Sequence, residues 1–511
     1  MRRILYTLLV SIFLLSSCKK DFLDLVPESS VTSGNFYQTE SHFNQALVGA
    51  YQAVRNVKGG LSAWAMGDFR SDNTHYKYNP GNRGSFFLES IDLFLDDQFS
   101  TITESKYNES YVGISRANTI IDRLAKSSLP ESFKSNTTAQ SKFLRALFYF
   151  ELVRYYGGVP LYLNEIANSE SAYLKRATVP EVYAVIEKDL KDAIPLLPLP
   201  ATNQSGRATR SSAKMLLADV YLAQKKFATA EEELKGIVQF GFHGLLQEYA
   251  AAFNPATKNS IESVFEIQYK QGSDGQSSDF VYNFIPLSGD ISKIVGFPET
   301  HFSGGGFNTP TDDLIASYGP TDKRLDASIA IAEGTGPVGN MVIESIKSAR
   351  GYITPAGKRA DAFIKKYLYP HSVKFNTDNN FPIYRYSDVL LSLAEVLNEQ
   401  NKASEALPYL NLVKQRAGLF PSSEINQATL RDIILQERRL EFAFENKRWF
   451  DLVRTSKAIQ VMNQHGSQLK VRFAGDGYIP TLAYNVTQNR LLFPVPYREI
   501  QIGKLEQNPG Y

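Results

Sequence analysis

The sequence predicts an all-α dominated fold: an α-α superhelix of about four helix pairs of the tetratricopeptide type, plus a long loop-rich insertion region with minor β structure. Two segments, beginning at Ser212 and Tyr386, align without gaps. In each, an alanine stands three residues before a large apolar residue, a second alanine follows twelve residues after the first, and a leucine comes four residues later. The residues in these positions are Ala218, Tyr221, Ala230 and Leu234 in the first segment and Ala394, Leu397, Ala406 and Leu410 in the second. Small residues at this spacing let two helices cross closely, which is typical of tetratricopeptide repeats.

Further helices fit around these two pairs. The segment from Gln140 to Tyr156 has Ala146 and Tyr149 in the corresponding places, and its partner runs from Val179 to Leu196. A fourth pair joins Glu40–Arg55 to the more distant helix Tyr107–Leu124, and the segments Gln427–Phe444 and Trp449–Val461 close the set. The sequence therefore predicts the helices of the superhelix at residues 40–56, 107–124, 140–196, 211–240, 384–416 and 427–461.

Two stretches between the helices differ in composition. Residues 59–100 and 272–380 are rich in Gly, Asn, Asp, Ser and aromatic residues and have no sustained helical period. Alternating patterns at Ser263–Gln268 and Ser328–Ala332 predict short strands. Because these stretches carry many Tyr and Phe side chains, we expect those rings to be packed or to contact a ligand.

The first residues predict export. A basic Met1–Arg3 start is followed by an uncharged apolar run from Ile4 to Leu15 and then by Ser16, Ser17 and Cys18. This run is too short to span a bilayer, so residues 1–17 are predicted as a signal peptide and residues 18–511 as a single mature domain. The sequence before Cys18 resembles the lipobox of bacterial lipoproteins, in which the cysteine carries the lipid. The alternative is an ordinary signal peptide followed by an incidental cysteine.

Composition excludes several classes of protein. Cys18 is the only cysteine in 511 residues, so neither an intrachain disulfide nor a zinc–cysteine cluster is possible. The formal net charge is only +2, which indicates no polyanion-binding surface, and nucleic acid is not an expected partner. With 43% hydrophobic residues the chain can bury a large core, and no later segment has the length of a membrane-spanning helix.

Signals for catalysis, metals and cofactors are weak. The six histidines are scattered without metal-ligand spacing, and there is no GxSxG motif. Gly334–Gly339 satisfies the GxGxxG pattern, but Pro337 interrupts it and the following residues look extended, so it predicts a hairpin or loop. Acid pairs such as Asp96–Asp97 and Asp312–Asp313 are typical of solvated surfaces. We therefore expect no enzyme, no metal and no cofactor.

Several motifs, spread in order along the chain, carry a family resemblance. They are Cys18–Asp24 with Pro27, Phe43–Tyr51, Arg145–Phe150, Tyr155–Leu161, Tyr384–Leu391 with Glu395, Glu437–Glu445, Arg448–Leu452 with Arg454, and Gln507–Tyr511. In these motifs the chain resembles the SusD/RagB family of outer-membrane nutrient-binding lipoproteins. The resemblance implies a superhelix with four tetratricopeptide-like repeats and an insertion region that carries the ligand site. It also implies a lipid anchor on Cys18, and the residues Lys20, Asp21 and Asp24 are similar to the signal that directs such lipoproteins to the cell surface.

The resemblance further implies a function: capture of a glycan or related nutrient and its delivery to a SusC-like TonB-dependent channel in the outer membrane. Glycan sites combine flat aromatic rings with polar groups that bind the sugar hydroxyls. The segment from Trp64 to Tyr78 and two later aromatic stretches offer that mixture. The candidate ligand-binding residues are Trp64, Arg70, Asp72, Asn73, Tyr76, Tyr78, Tyr282, Phe284 and Phe302. Each aromatic among them could instead only pack its segment onto the superhelix, and glycines 304–306 could either admit a ligand or form a turn.

Two other functions remain open at this stage. Tetratricopeptide superhelices commonly hold other proteins, so the chain could be an interaction scaffold at the outer membrane. The captured nutrient could also be a peptide rather than a glycan. Trp449 lies in an arginine-rich helical stretch, where we expect its ring to be packed and Arg448 or Arg454 to pair with nearby acids.

Overall fold

The computed structural model describes residues 36–77, 86–166, 168, 172–200, 206–337, 339–475 and 479–511. The predicted signal peptide, Cys18, the segment Lys19–Pro27 and Tyr78 lie outside these residues. The described chain is mostly helical, as the sequence predicts. Its helices in chain order are α1 Glu40–Val54, α2 Leu61–Trp64, α3 Phe86–Asp92, α4 Thr101–Ala125, α5 Glu131–Tyr156, α6 Val179–Ala193, α7 Arg210–Ala223, α8 Phe227–Gln239, α9 Val281–Phe284, α10 Ser292–Val295, α11 Asp312–Ser317, α12 Arg324–Ser328, α13 Tyr386–Glu399, α14 Ala403–Arg416, α15 Gln427–Glu441, α16 Arg448–Arg454, α17 Ala458–Arg472 and α18 Tyr497–Gln501.

The long helices pack in pairs. Helix α1 lies on α4, α5 lies between α4 and α6, α7 packs on α8, and α13 packs on α14 and also on α8. The alanines that the repeat pattern places at the helix crossings, Ala218, Ala230, Ala394 and Ala406, are all fully buried. A large hydrophobic core runs continuously through these helices. The helix-dominated, repeat-like fold predicted from the alanine spacing is therefore confirmed.

The two aligned repeats end their first helices in the same way. Lys225 after α7 and Asn401 after α13 have φ angles of 58° and 60°. The next amide in each chain segment donates to the carbonyl oxygen of Tyr221 in one repeat and of Leu397 in the other, both at 2.9 Å. This is a Schellman turn, in which a left-handed residue caps the free carbonyls of the last helical turn. The gap-free alignment of the sequences thus reflects an identical turn between the helices.

The strands form three small antiparallel sheets. They are β1 Thr74–His75, β2 Ser263–Ile267, β3 Thr309–Pro310, β4 Ile329–Thr335, β5 Val342–Ser348, β6 Arg359–Ile364 and β7 Phe381–Arg385. β1 pairs with β3, β2 pairs with β7, and the third sheet has the order β5-β4-β6. β2 and β4 fall where the alternating patterns predict strands. The GxGxxG segment begins in β4, and antiparallel β5 follows it from Val342, so its described residues belong to a hairpin connection and open no helix.

The first insertion region differs from the expected loop. Helix α2 continues directly into a π-helical turn at Ala65–Phe69, and α3 follows later in the same region. Met66 and Phe69 are fully buried on this helical segment. The long helices α4 and α5 also begin earlier than the sequence predicts, because Ser100 caps α4 through the amide of Thr103 and Pro130 precedes the first turn of α5.

Candidate functional site

The predicted aromatic residues of the two insertion regions do come together, but inside the protein. Trp64 and Tyr76 both stack on the Phe307 ring, with ring centroids 6.3 and 5.9 Å from it and interplanar angles of 22° and 24°. The edge of Phe284 meets Trp64 at 5.6 Å. Trp64, Tyr76 and Phe284 are each at most 3% exposed. Such rings stabilise the junction between the insertions and present almost no surface on which a sugar could stack.

The predicted polar residues of the first insertion are buried and ion-paired. Arg70 pairs with Asp96, and its guanidinium lies 4.2 Å from the ring centroids of both Phe94 and Phe493. Arg70 also donates to the carbonyl oxygen of Arg490 at 3.0 Å, which fixes the segment to the C-terminal part of the chain. Arg70 therefore has a supporting position, with a side chain that is fully buried.

Asp72 and Asn73 face the end of the superhelix. Asp72 accepts a hydrogen bond from Arg448 at 2.8 Å and pairs with Arg439 at 3.1 Å, while the Asn73 side-chain oxygen accepts from Arg439 at 2.9 Å. Burial alone would raise the pKa of Asp72, but the two guanidinium groups hold it well below its usual range. A carboxylate with two buried cationic partners is committed to the fold rather than to a ligand.

The second predicted set forms a separate small core. Tyr282 packs against Phe302 and Phe375 with ring centroids at 5.9 and 4.7 Å, and its hydroxyl lies 2.5 Å from His371 Nε2. The glycines beside Phe302 form a turn: Gly305 has φ of 84°, and a Cβ there would lie 2.4 Å from the carbonyl oxygen of Ile285. A side chain at Gly305 would collide with this backbone, so the glycine turn serves the packing of the chain rather than the approach of a ligand. Tyr282 and Phe302 are buried.

A large open cavity lies next to the first set, between the β sheets and the end of α17. Its volume is about 1050 Å³. It is lined by side chains from β1, β3, α11, β4, β6, the turn after β5 and the last residues of α17. The lining residues are His75, Lys77, Thr309, Pro310, Asp312, Ile315, Ala316, Tyr318, Pro320, Leu325, Ile331, Ala349, Arg350, Gly351, Tyr352, Thr354, Arg359, Ala360, Asp361, Ala362, Arg472 and Phe473.

The cavity combines partly exposed rings with polar groups. Tyr352 and Phe473 are half-buried. The Tyr352 hydroxyl donates to Glu333 at 2.7 Å, and the Phe473 ring lies 5.6 Å from that of His75. His75 Nδ1–H donates to the carbonyl oxygen of Tyr76 at 3.0 Å, and burial lowers the pKa of His75 to about 3. His75 is therefore uncharged at neutral pH. Aromatic platforms ringed by polar groups are the chemistry that sugar rings require.

Comparison with known proteins decides the family. The sequence model described as the SusD family matches residues 261–511, and the model described as starch-binding associating with outer membrane matches residues 21–222. A SusD-like protein, P38, from Formosa agariphila is 26% identical over 99% of this chain and 98% of its own length.

The chain belongs to the SusD family.

Solved structures of SusD proteins share the fold. A laminarin binding SusD-like protein is 25% identical, with a TM-score of 0.72 over 93% of this chain and 100% of its own. Surface glycan-binding protein A from Bacteroides thetaiotaomicron in complex with laminarihexaose is 23% identical, with a TM-score of 0.72 over 92% of this chain and 99% of its own. The first of these binds laminarin by its name, and the second holds a laminarin oligosaccharide.

The SusD motif between Glu437 and Arg454 has a structural role here. Trp449 is fully buried against Phe94, with ring centroids 5.8 Å apart. Arg448 pairs with Asp72, and Arg454 pairs with Glu395 and with Asp451. The packing and pairing expected for this stretch are confirmed. The motif holds the first insertion, and with it one wall of the cavity, against the superhelix.

None of the candidate residues predicted from the sequence that the structure describes is among the residues that line the cavity. Arg359, Tyr352 and Phe473 belong to three separate elements that lie together only after the chain folds. One local signal was present: Arg359 and Asp361 alternate with alanines, as on a strand with one polar face. None of the helices among the described residues has the length and apolarity needed to cross a bilayer. Within the same residues, no group of three or more acidic, His or Cys side chains is arranged to hold a metal ion.

Asp92 beside this region gives a test by pH. Its buried carboxylate accepts hydrogen bonds from the Tyr76 amide at 2.9 Å and the Tyr484 hydroxyl at 3.0 Å. Burial raises the pKa of Asp92 to about 8, above the value of about 4 in an unfolded chain. Since the folded state holds this proton more tightly, its stabilising effect is complete at acid pH and is lost as the pH rises through about 8.

We therefore expect Asp92→Asn, which mimics the protonated form, to gain thermal stability relative to the native protein as the pH rises from about 5 to about 8.5. Thermal midpoints across this range measure the gain. The exposed Asp274→Asn makes the same charge change elsewhere and is expected to show no such trend. A difference between Asp92→Asn and the native protein that stays constant with pH would contradict the protonation of Asp92.

Proposed function

We propose that the mature chain is a non-catalytic, lipid-anchored cell-surface protein that binds a glycan in the cavity and delivers it to a SusC-like TonB-dependent channel. The observation that carries the proposal is the cavity itself. Its volume of about 1050 Å³ lies at the upper end for ligand sites, which suits an oligosaccharide. Membership of the SusD family and the laminarin named for two solved relatives support a glycan as the ligand.

Tyr352 and Phe473 provide the ring surfaces in this proposal. Both line the cavity and both are partly exposed. Polar groups of Thr309, Thr354 and Asp361 on the same walls can exchange hydrogen bonds with sugar hydroxyls. The residues predicted from sequence, Trp64 and Tyr76 among them, then act as the support beneath the cavity rather than as ligand contacts.

The acids of the cavity favour binding over hydrolysis. Among the described lining residues the carboxylates are Asp312 and Asp361. Asp312 pairs with Arg472 at 2.5 Å, and Asp361 pairs with Lys77. A glycosidase needs two carboxyl groups placed across the scissile bond, whereas each of these two carboxylates faces a basic side chain.

Lipid attachment and delivery rest on the N-terminal sequence and on the family. The segment around Cys18 resembles a lipobox, and the family model over residues 21–222 is described as associating with the outer membrane. A lipid on Cys18 would keep the domain at the membrane beside the channel, because a covalently attached acyl chain inserts into the bilayer. None of the described helices is long and apolar enough to cross the bilayer.

Titration of the mature chain from residue 19 onward tests the proposal. We expect saturable binding to at least one member of a panel of neutral, carboxylated and sulfated oligosaccharides, measured by isothermal calorimetry, and no binding to a matched panel of peptides. Binding to peptides alone would favour peptide capture. Binding to neither panel, by a protein with a normal thermal midpoint, would favour a scaffold and contradict glycan capture.

A further inference from the structure

The charges around the cavity are not fully paired. Four basic side chains line it, Lys77, Arg350, Arg359 and Arg472, against the two acids Asp312 and Asp361. Arg472 pairs with Asp312 at 2.5 Å, and Lys77 pairs with Asp361. These two ion pairs use both acids of the cavity lining, so Arg350 needs a partner outside it.

Arg350 has such an acid outside the cavity. Its guanidinium pairs with Asp326 at 3.2 Å and also donates to the carbonyl oxygens of Gly319, Pro320 and Asp322 at 3.0, 2.6 and 2.7 Å. Its Nε also donates to Asp326 at 3.3 Å, so every nitrogen of Arg350 has an acceptor. Its role is to hold the wall of the cavity, and it leaves no donor for a ligand.

Arg359 is the cation that remains. Its nearest carboxylate is Asp361, and the 3.6 Å between Nε and the Asp361 oxygen allows a weak ion pair but no hydrogen bond. Asp361 also pairs more closely with Lys77, so Arg359 has only a share of one carboxylate. Among the described residues, Nε of Arg359 has no hydrogen-bond acceptor although it is shielded from solvent. The Arg359 side chain as a whole is 27% exposed, so an anionic group of a ligand in the cavity can reach the accessible part of this weakly paired guanidinium.

β6 places this group at the cavity. The strand is hydrogen-bonded to β4 at one edge only in the sheet order β5-β4-β6. The other edge of β6 borders the cavity, and residues from both faces of the strand line it. Arg359 and Asp361 lie on one face, and Ala360 and Ala362 lie on the other.

We infer that the cavity selects a glycan that carries acidic groups, a uronic acid carboxylate or a sulfate ester, and that Arg359 binds one such group. The inference rests on the proposed function, because it names the class of glycan for the same cavity. Guanidinium groups bind carboxylates and sulfates through paired, charge-assisted hydrogen bonds. The small net charge of the whole chain does not contradict this inference, because one weakly paired cation in a recess acts only over a short distance.

Two matched pairs of oligosaccharides test this inference by calorimetry at low salt. One pair is oligogalacturonate and its methyl ester, and the other is a sulfated carrageenan oligosaccharide and the same oligosaccharide after chemical removal of its sulfate groups. We expect the acidic member of at least one pair to bind about tenfold more tightly than its neutral partner, with the difference shrinking as salt is added. Arg359→Gln should abolish the difference, and Arg359→Lys should retain part of it.

The controls separate this inference from the proposed function. Lys225→Gln removes one exposed positive charge from the turn between α7 and α8 and should leave the preference unchanged. Equal binding of acidic and neutral partners, or a preference that survives in Arg359→Gln, would overturn the acidic class while leaving glycan capture in place. If only neutral glycans from the wider panel bind, the acidic class is likewise overturned. If no glycan binds, both fail together.

Discussion

Replacement of Arg385 by methionine is expected to destabilise the protein by about 3–5 kcal/mol, because it breaks a buried ion network at its centre. Arg385 is 2% exposed and contacts three buried carboxylates: Glu262 at 2.7 Å, Glu441 at 2.9 Å and Glu445 at 2.8 Å. Burial alone would raise the pKa of Glu445, but the charges of Arg385 and Lys366 hold it below its usual range. Without Arg385, these carboxylates lose a shared cation that water cannot replace.

Urea unfolding measures this loss. The control is Arg431→Met, which removes an arginine of the same size from a partly exposed pair with Glu399, and its effect is expected to stay below about 1 kcal/mol. Arg385→Lys should fall between the two, since an ammonium group keeps the charge but cannot reach three carboxylates at once. Equal effects of Arg385→Met and Arg431→Met would show that the network contributes little to stability.

Removal of the two ring surfaces of the cavity is expected to have the largest effect on ligand binding. Tyr352→Ala and Phe473→Ala should each weaken glycan binding about tenfold, and the double variant should abolish measurable binding. Each ring is partly exposed at the cavity, so truncation removes the contact with a sugar face. Calorimetric titration with the tightest glycan of the panel gives the affinities.

Two further variants locate the effect. Tyr352→Phe keeps the ring and loses only the hydroxyl that donates to Glu333, so its affinity should stay near that of the native protein. Tyr173→Ala removes a tyrosine that is 57% exposed and does not line the cavity, and it should leave binding unchanged. If the two alanine variants bind the glycan as tightly as the native protein, the ligand lies elsewhere.

The repeat part of the fold could be predicted because its signal is local. Ala218 and Tyr221 lie on one helix, and the second alanine of the repeat is twelve residues away, so helical spacing alone predicts the crossing. The identical Schellman turns at Lys225 and Asn401 explain why the two segments align without a gap. The hairpin of β4 and β5 was predictable for the same reason, because the two strands follow one another in the sequence.

The cavity could not be predicted because its walls are distant in sequence. β1 reaches β3 through the pairing of Thr74 with Pro310, and α17 contributes Arg472 and Phe473 from near the C-terminus. No repeating pattern within a short stretch of sequence indicates contacts between segments that are so far apart in the chain. Composition also misled the choice of residues: the mixture of rings and polar groups around Trp64 is the same whether it binds a sugar or packs a junction, and only the folded chain separates the two.

The most direct test of glycan capture is a crystal structure of the complex with the tightest glycan of the panel. We predict sugar rings inside the cavity, against Tyr352 and Phe473, with Trp64 and Tyr76 still packed on Phe307 beneath them. A glycan bound on another surface, with Tyr352 and Phe473 free of contacts to it, would contradict the account.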